Sequence, residues 1–187
     1  ANYGHEFSDK IKFESNIRIA ETYNQYDKEV DTATATHSEE VDAVQSSSNI
    51  ALVYKPNQKF TNKLSLANTY IKRVYAPTPL SGNTAKDNYF GGRYALTYSG
   101  NYNFNLDNSI VFGLEREDDQ IGYNKNMTGM TYKDAYVTSS YIDYQSRVTK
   151  NIFTTLGARF DEHSLSGNED SHRATLAYLF DDKTTKL

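Results

Sequence analysis

The chain has no cysteine and no tryptophan, and only three prolines and two methionines, in 187 residues. The missing cysteine removes disulfides, thiol catalysis and cysteine-based metal sites together. It fits an oxidising compartment managed without bridges, and it fits a cytosol as well. No apolar run approaches the ~20 residues of a membrane helix, which leaves open a membrane strand of only ~10 alternating residues. Basic and acidic residues number 20 and 24, for a net charge of -4, and are spread along the chain. No basic footprint for nucleic acid is therefore present. There is no signal peptide, and the chain starts at Ala1 without methionine, as expected of a processed chain or of one cut from something longer.

Only 37% of residues are apolar, yet aromatics reach 13%, with 16 Tyr and 9 Phe. The mean hydropathy is -0.73. A disordered chain is poor in aromatics, so disorder does not explain the low hydropathy. Tyr, Thr and Ser with little Pro favour strands, and segments of period two recur from end to end. After a tail ending near Phe7, "IKFESNIRIAETYNQY" sets Ile11, Phe13, Ile17 and Ile19 against Lys12, Glu14, Asn16 and Arg18. "NIALVYK" has Ile50, Leu52 and Tyr54 in phase; "NKLSLANTYIKRVYA" begins in phase at Leu64 and Leu66 but carries Ile71 and Tyr75 on the opposite parity. "YFGGRYALTYSGNYNF" sets Phe90, Tyr94, Leu96, Tyr98, Tyr102 and Phe104 against small and polar residues, and "SIVFGLERE" continues with Ile110, Phe112 and Leu114. "AYVTSSYIDYQSRV" precedes "NIFTTLGARFDEH", where Leu156, Ala158 and Phe160 oppose Gly157, Arg159 and Asp161. Phe153 is out of phase there, which predicts a bulge or an interface position beside the "TKN" turn. "SHRATLAYLF" closes the series with Ala174, Leu176, Tyr178 and Phe180.

The connections alternate in length. "SDK", "NLDN", "TKN" and "DDKTT" are short and "PNQKFTN" intermediate, whereas "DKEVDTATATHSEE", "PTPLSGNTAKDN", "DDQIGYNKNMTGMTYKD" and "EHSLSGNED" are long. Short turns on one rim and long loops on the other characterise outer-membrane barrels. Segments of about 14 to 17 residues exceed the ~5 to 6 of globular strands. Phe90 and Phe104 are separated by ~35 Å along a tilted strand, enough to place rings at both lipid interfaces. Alternation alone suits a soluble sandwich equally well. Strand length, loop alternation and terminal tyrosines together predict an all-β, antiparallel up-and-down transmembrane β-barrel wall of about eight complete strands, with its apolar face toward lipid and its polar face toward a lumen.

The stretch "TKNIFTTLGARFDEHSLSGNEDSHRATLAYLFDDKTTKL", with "NLDNSIVFGLERE" before it, resembles the middle-to-late barrel region of TonB-dependent outer-membrane receptors, closest to the vitamin B12 and siderophore receptors. The shared pattern is an "LGARFD" strand, a Ser/Gly loop, a strand ending like "AYLF", a turn, and "TKL" opening the next strand. It covers residues 85–187. The resemblance implies a barrel of about 22 strands closed by a plug domain, importing cobalamin or a ferric siderophore across a Gram-negative outer membrane with energy delivered through TonB. Its implied partners are lipid, plug, TonB and the nutrient. This chain has no plug segment, no TonB box and no terminal aromatic strand after "TTKL", so residues 1–187 are expected to form a partial barrel domain. The alternatives are a complete eight-stranded porin or adhesin-type barrel, and a soluble all-β ligand-binding or glycan-active module.

No pattern predicts an enzyme, a cofactor or a metal site. His5, His37, His163 and His172 lack ligand spacing. "GNTAKDN" and "FGGRY" precede no helix, as a phosphate loop would. The pairs Asp118–Asp119 and Asp181–Asp182 read as solvated turns, and "EREDDQ" lacks the alternating oxygen spacing of a calcium loop. The long loop after it offers Asp118, Asp119, Tyr123 and Tyr132, with Met127 and Met130, as substrate-contact candidates. Glu14, Arg18, Arg93, Glu115, Asp143, Arg147, Arg159 and Asp161 fall on polar parities and are expected to face the lumen and a plug. Arg93, Glu115, Arg147, Arg159 and Asp161 are the leading candidates.

Overall fold

The computed structural model describes residues 1–26, 39–77, 86–125 and 129–180. Most of "DKEVDTATATHSEE" and "PTPLSGNTAKDN", with His37, Met127, Asp181 and Asp182, lies outside the described residues. Nine strands account for the rest: β1 (Asn2–Ser8), β2 (Ile11–Tyr26), β3 (Glu39–Asn57), β4 (Phe60–Pro77), β5 (Asp87–Asn103), β6 (Asn108–Asn124), β7 (Thr131–Arg147), β8 (Ile152–His163) and β9 (Gly167–Tyr178). They form one antiparallel up-and-down sheet in sequence order. Among the described residues β1 pairs only with β2 and β9 only with β8, so the sheet is open. The segment read as a tail is β1, which pairs from Asn2↔Asn16 to Ser8↔Ile11 and raises the count above eight.

One device closes the hairpins on the short-turn rim. A side-chain oxygen accepts the backbone N–H two residues ahead: Ser8 from Lys10 (3.3 Å), Asn57 from Lys59 (2.9 Å), Asn105 from Asp107 (2.9 Å) and Thr149 from Asn151 (3.3 Å). This is the local bonding that makes Asn, Ser and Thr turn residues. Through Asn57 the "PNQKFTN" stretch closes tightly. On the other rim two connections are shorter than their sequence suggested. "EHSLSGNED" is a tight turn, in which His163 Nδ1 accepts from Leu165 N at 3.0 Å and Gly167 takes a φ of 86°. Most of "DDQIGYNKNMTGMTYKD" is strand, since β6 runs to Asn124 and β7 starts at Thr131.

Register carries one phase across the sheet. Gly4, Glu14, Ala51, Ser65, Thr97, Glu115, Ser139, Asp161 and Glu169 stand opposite one another in a row through all nine strands. The adjacent row runs Phe13, Leu52, Leu64, Tyr98, Leu114, Ser140 and Phe160. Opposed residues share a face, so one face is polar or small and the other apolar. Phe153 pairs with Arg147 and Ala177 in unbroken register, which corrects the expected bulge. It lies on the polar face at the short-turn rim, with the Arg147 guanidinium 5.7 Å from its ring centre. Ile71 and Tyr75 are likewise on the polar face of a regular β4.

The rows are sheared against the rim. In the row of Leu64, the distance back to the start of the strand is two residues for Phe13 on β2, four for Leu64 on β4, six for Leu114 on β6 and eight for Phe160 on β8. The rim therefore falls one residue per strand. With ~3.3 Å per residue and ~4.8 Å between strands, that shear tilts the strands by ~35°, the value a barrel wall requires. The apolar face follows the rim and not the rows. It ends at Ile19, Leu66, Leu114 and Phe160, which are eight, six, six and eight residues above the starts of their strands, and above it come Glu21, Asn68, Arg116 and Glu162. Tyr54, Tyr102, Tyr144 and Tyr178 line its lower edge, and Tyr94 and Tyr136 stand eight residues above Tyr102 and Tyr144.

Among the described residues no large side chain is fully buried, and the buried hydrophobic residues are Ala51 (3% exposed) and Ala76 (4%). Leu114 is 60% and Leu176 71% exposed, whereas the side chains of Glu115 and Asp143 on the polar face are only 25% and 22% exposed. The polar face is the more enclosed one. That order is the reverse of a soluble fold.

Candidate functional site

The enclosed polar face carries the chemistry, and its charges are laddered across strands. Arg93 on β5 stands directly opposite Asp119 on β6 and binds it with two bonds, Nε to Oδ1 at 2.7 Å and Nη2 to Oδ2 at 2.8 Å. Its third nitrogen lies 3.2 Å from Glu117. A planar fork facing a carboxylate is the geometry Arg supplies and Lys does not. Arg159 on β8 forms the second node. It reaches Asp161 two residues ahead on the same face at 2.9 Å, Ser139 Oγ on β7 at 2.8 Å and Glu115 on β6 at 3.6 Å. Ser139, itself buried, donates to Asp161, so its proton and its lone pair are both committed.

The third node depends on a glycine. Asp143 on β7, Gly157 on β8 and Arg173 on β9 are cross-strand neighbours, and Asp143 reaches across Gly157 to Arg173 at 2.8 Å. A Cβ at Gly157 would meet the Asp143 carboxylate. Glycine at this position leaves the Asp143 carboxylate room to pass over the strand. Gly113 gives the same kind of room to the Tyr141 ring next to it. Nearer the β1 edge, Glu14 is held between Lys12 (3.0 Å) and Lys63 (3.3 Å).

All five leading candidates stand on this face. Arg93, Glu115, Arg159 and Asp161 belong to the ladder, while Arg147 sits at the short-turn rim, where it donates to the Lys150 carbonyl at 3.3 Å and lies 3.9 Å from Asp107. The substrate-contact candidates are divided. Asp118, Asp119, Tyr123 and Tyr132 lie on β6 and β7, not in a loop. Asp119 and Tyr123 share the polar face with Arg93 and Tyr89. Asp118 and Tyr132 point to the apolar side, where Asp118 pairs with Arg116 at 2.9 Å and Tyr132 packs on Phe90 with ring centres 5.5 Å apart. Arg116 also lies over the Tyr136 ring at 3.7 Å. His163 caps its turn from the polar face, and His172 pairs with Asp170 at 3.2 Å on the apolar face, so the two histidines do not converge. "FGGRY" is mid-strand, with Phe90 lying over Gly122.

Glu117, Ser139 and Arg173 were missing from the leading candidates. Parity marked all three, since Arg173 alternates with Ala174 and Leu176, and Ser139 lies two residues from Tyr141 on the polar parity. Their partners lie on other strands, adjacent for Glu117 and Ser139 and two strands away for Arg173, and only register brings them together. The result is a water-compatible, ion-paired wall in which three arginines, Arg93, Arg159 and Arg173, meet five carboxylates, and which can hydrogen-bond polar solutes. No family model and no curated protein matches the sequence.

Proposed function

We propose that this sheet is part of the wall of an outer-membrane transport barrel of the TonB-dependent receptor kind, importing a scarce nutrient such as cobalamin or a ferric siderophore. The observation that carries the reading is the apolar belt. It keeps a height of six to eight residues above the short-turn rim on β2, β4, β6 and β8 although the rim is sheared. At a ~35° tilt eight residues rise ~22 Å, close to the ~25 Å apolar band of outer-membrane barrels. A belt that follows the rim and ignores the hydrogen-bonded rows is aligned to an external plane. Tyrosines at both edges suit a lipid interface, and the ion-paired face suits a lumen that must hold water, a plug and a passing solute. The short-turn rim then faces the periplasm.

Barrel size supports the larger of the two membrane readings. Nine strands pair in sequence without the first meeting the last, and eight strands would already close a small barrel. Neither an enzyme nor a bound cofactor is part of the proposal: the serine hydroxyls that meet a base among the described residues, Ser139 on Asp161 and Ser166 on His163, are tied into the charge ladder and into a tight turn.

The native chain has no cysteine, so single cysteines report their own surroundings. With the protein in phospholipid vesicles, a fluorophore on Leu96→Cys should be quenched by a nitroxide on the lipid acyl chains, and one on Thr97→Cys by aqueous iodide. Equal aqueous quenching at both positions, or a folded β spectrum without detergent or lipid, would overturn the membrane assignment. For the transport step, disrupting the gene that carries this chain should abolish uptake of labelled cobalamin or ferric siderophore. Residual uptake that survives a protonophore would count against TonB coupling.

A further inference from the structure

The arginines of the polar face divide into two sets. Arg93, Arg147, Arg159 and Arg173 each meet a carboxylate. Arg18 and Arg73 meet none among the described residues, and both stand on the β2–β4 part of the face. Arg73 opens onto a groove of about 260 Å³ between β2, β3 and β4. The register explains the groove. Small side chains, Ala20 and Ala43, form its floor, Thr22 stands opposite Ala43, and Ile71 and Tyr75 rise beside them. Tyr75 is braced by Tyr89, ring edge to face with centres 5.6 Å apart. Asn24 and Gln45 add amide donors to the lining.

Nearby carboxylates do not fill the place of a counter-ion. Asp42 and Glu40 stand on the other face, where Glu40 accepts from Tyr23 at 3.0 Å. Glu39 accepts from Tyr26 at 3.0 Å, and Asp87, opposite Tyr75, has a partner of its own. Among the described residues Arg73 has no carboxylate, on a face where four other arginines have one, and it opens onto a groove lined by further donors, which leaves room there for an external anion.

We propose that this groove is an anion-binding site that takes the carboxylate or phosphate group of a small molecule, with the Arg73 guanidinium as its two-pronged anchor and Asn24 and Gln45 as further donors. The planar fork of Arg matches either oxyanion. The volume is small for a ligand pocket, so the site holds a compact molecule or the acidic end of a larger one. It uses only the polar face, and stands whether lipid or water covers the apolar one.

The test is calorimetric titration of the full chain in detergent with inorganic phosphate and, separately, with citrate. The wild-type chain should bind at least one of the two, and which one it prefers identifies the group. Arg73→Gln should weaken binding at least tenfold, about 1.4 kcal/mol, while Lys150→Gln, which removes an equal charge at the short-turn rim, should leave it within about twofold. Arg73→Lys keeps the charge without the fork and should lie between them, and it serves as the reading variant if Arg73→Gln loses its β spectrum. Failure of the wild-type chain to bind either anion at millimolar concentration, unchanged binding in both Arg73 variants, or equal loss in Arg73→Gln and Lys150→Gln would overturn the proposal.

Discussion

Replacing Leu64 by Arg separates a lipid-facing belt from an aqueous surface by magnitude alone. Leu64 lies on the apolar face four residues above the start of β4, which at a ~35° tilt is ~11 Å above the rim and close to the middle of a ~22 Å belt. An Arg at the midplane of an outer-membrane barrel costs about 2–4 kcal/mol, and the cost falls to about 0–1 at the interfaces. Leu64 is 48% exposed, so in water the same change would be expected to stay within about 0.5 kcal/mol. The neighbouring Ser65 points to the polar face and provides the internal control, since Ser65→Arg has water or polar partners on that side. Asn68 supplies the depth control, being eight residues above the start of the strand on the same face as Leu64. Reversible urea unfolding in phospholipid vesicles should rank Leu64→Arg as the most destabilising, with Asn68→Arg and Ser65→Arg costing about 1 kcal/mol or less. Equal costs at Leu64 and Ser65, or no difference between Leu64 and Asn68, would refute the assignment of faces.

The polar ladder gives further tests. Gly157→Ala should cost about 1 kcal/mol, because the new Cβ displaces Asp143 from Arg173 and both partners are partly solvated. In an Asp143→Ala background the same substitution should stabilise by about 0.5 kcal/mol, since Ala then only stiffens the chain, and a double-mutant cycle by urea unfolding reads the coupling. Arg159→Met leaves Glu115 and Asp161 without their shared cation; at 40% exposure of Arg159 the loss should be about 1 kcal/mol, and it should shrink at 1 M salt. A salt-independent defect would mean that Arg159 acts by packing and not by charge. Asn108→Ala should cost about 1–2 kcal/mol, because its Oδ1 accepts from both Tyr144 (2.6 Å) and Ser146 (2.8 Å) across β6 and β7. A change in thermal midpoint no larger than that of Asn105→Ala would count against that bridge.

Sequence alternation was informative where one face of a strand is polar and the other is not. From Ile110 to Leu114 and from Leu156 to Phe160 the parity reads the two faces directly, and register confirms that these residues share one side of the sheet. It failed where strands continue above the belt. Asp118, Asp119, Tyr123 and Tyr132 looked like loop because, above Leu114, charged residues occur on both faces of β6 and its apolar residue, Ile121, lies on the otherwise polar face, so no period of two is visible. β1 was missed for a related reason. "NYGHEFS" is only seven residues long and exposed throughout, and the aromatic phase of Tyr3, His5 and Phe7 is too short to mark a strand by itself, although its backbone pairs with β2. Phe153, Ile71 and Tyr75 mislead in the opposite sense, being rings and branches on the polar face. Phe153 lies near the short-turn rim and the other two near the opposite rim, and each has a polar or aromatic neighbour: Arg147 over Phe153, Arg73 beside Ile71, Tyr89 against Tyr75. The ladder itself was legible only as separate letters. Arg93, Glu115, Arg159 and Asp161 could be placed on one face by counting, but no count gives the one-residue shear that sets Arg93 before Asp119 or carries Asp143 over Gly157 to Arg173. That shear is fixed by the lengths of the hairpins. The same lengths hold the apolar belt level, so the alignment of the apolar face and the pairing of charges on the polar face have a single geometric origin.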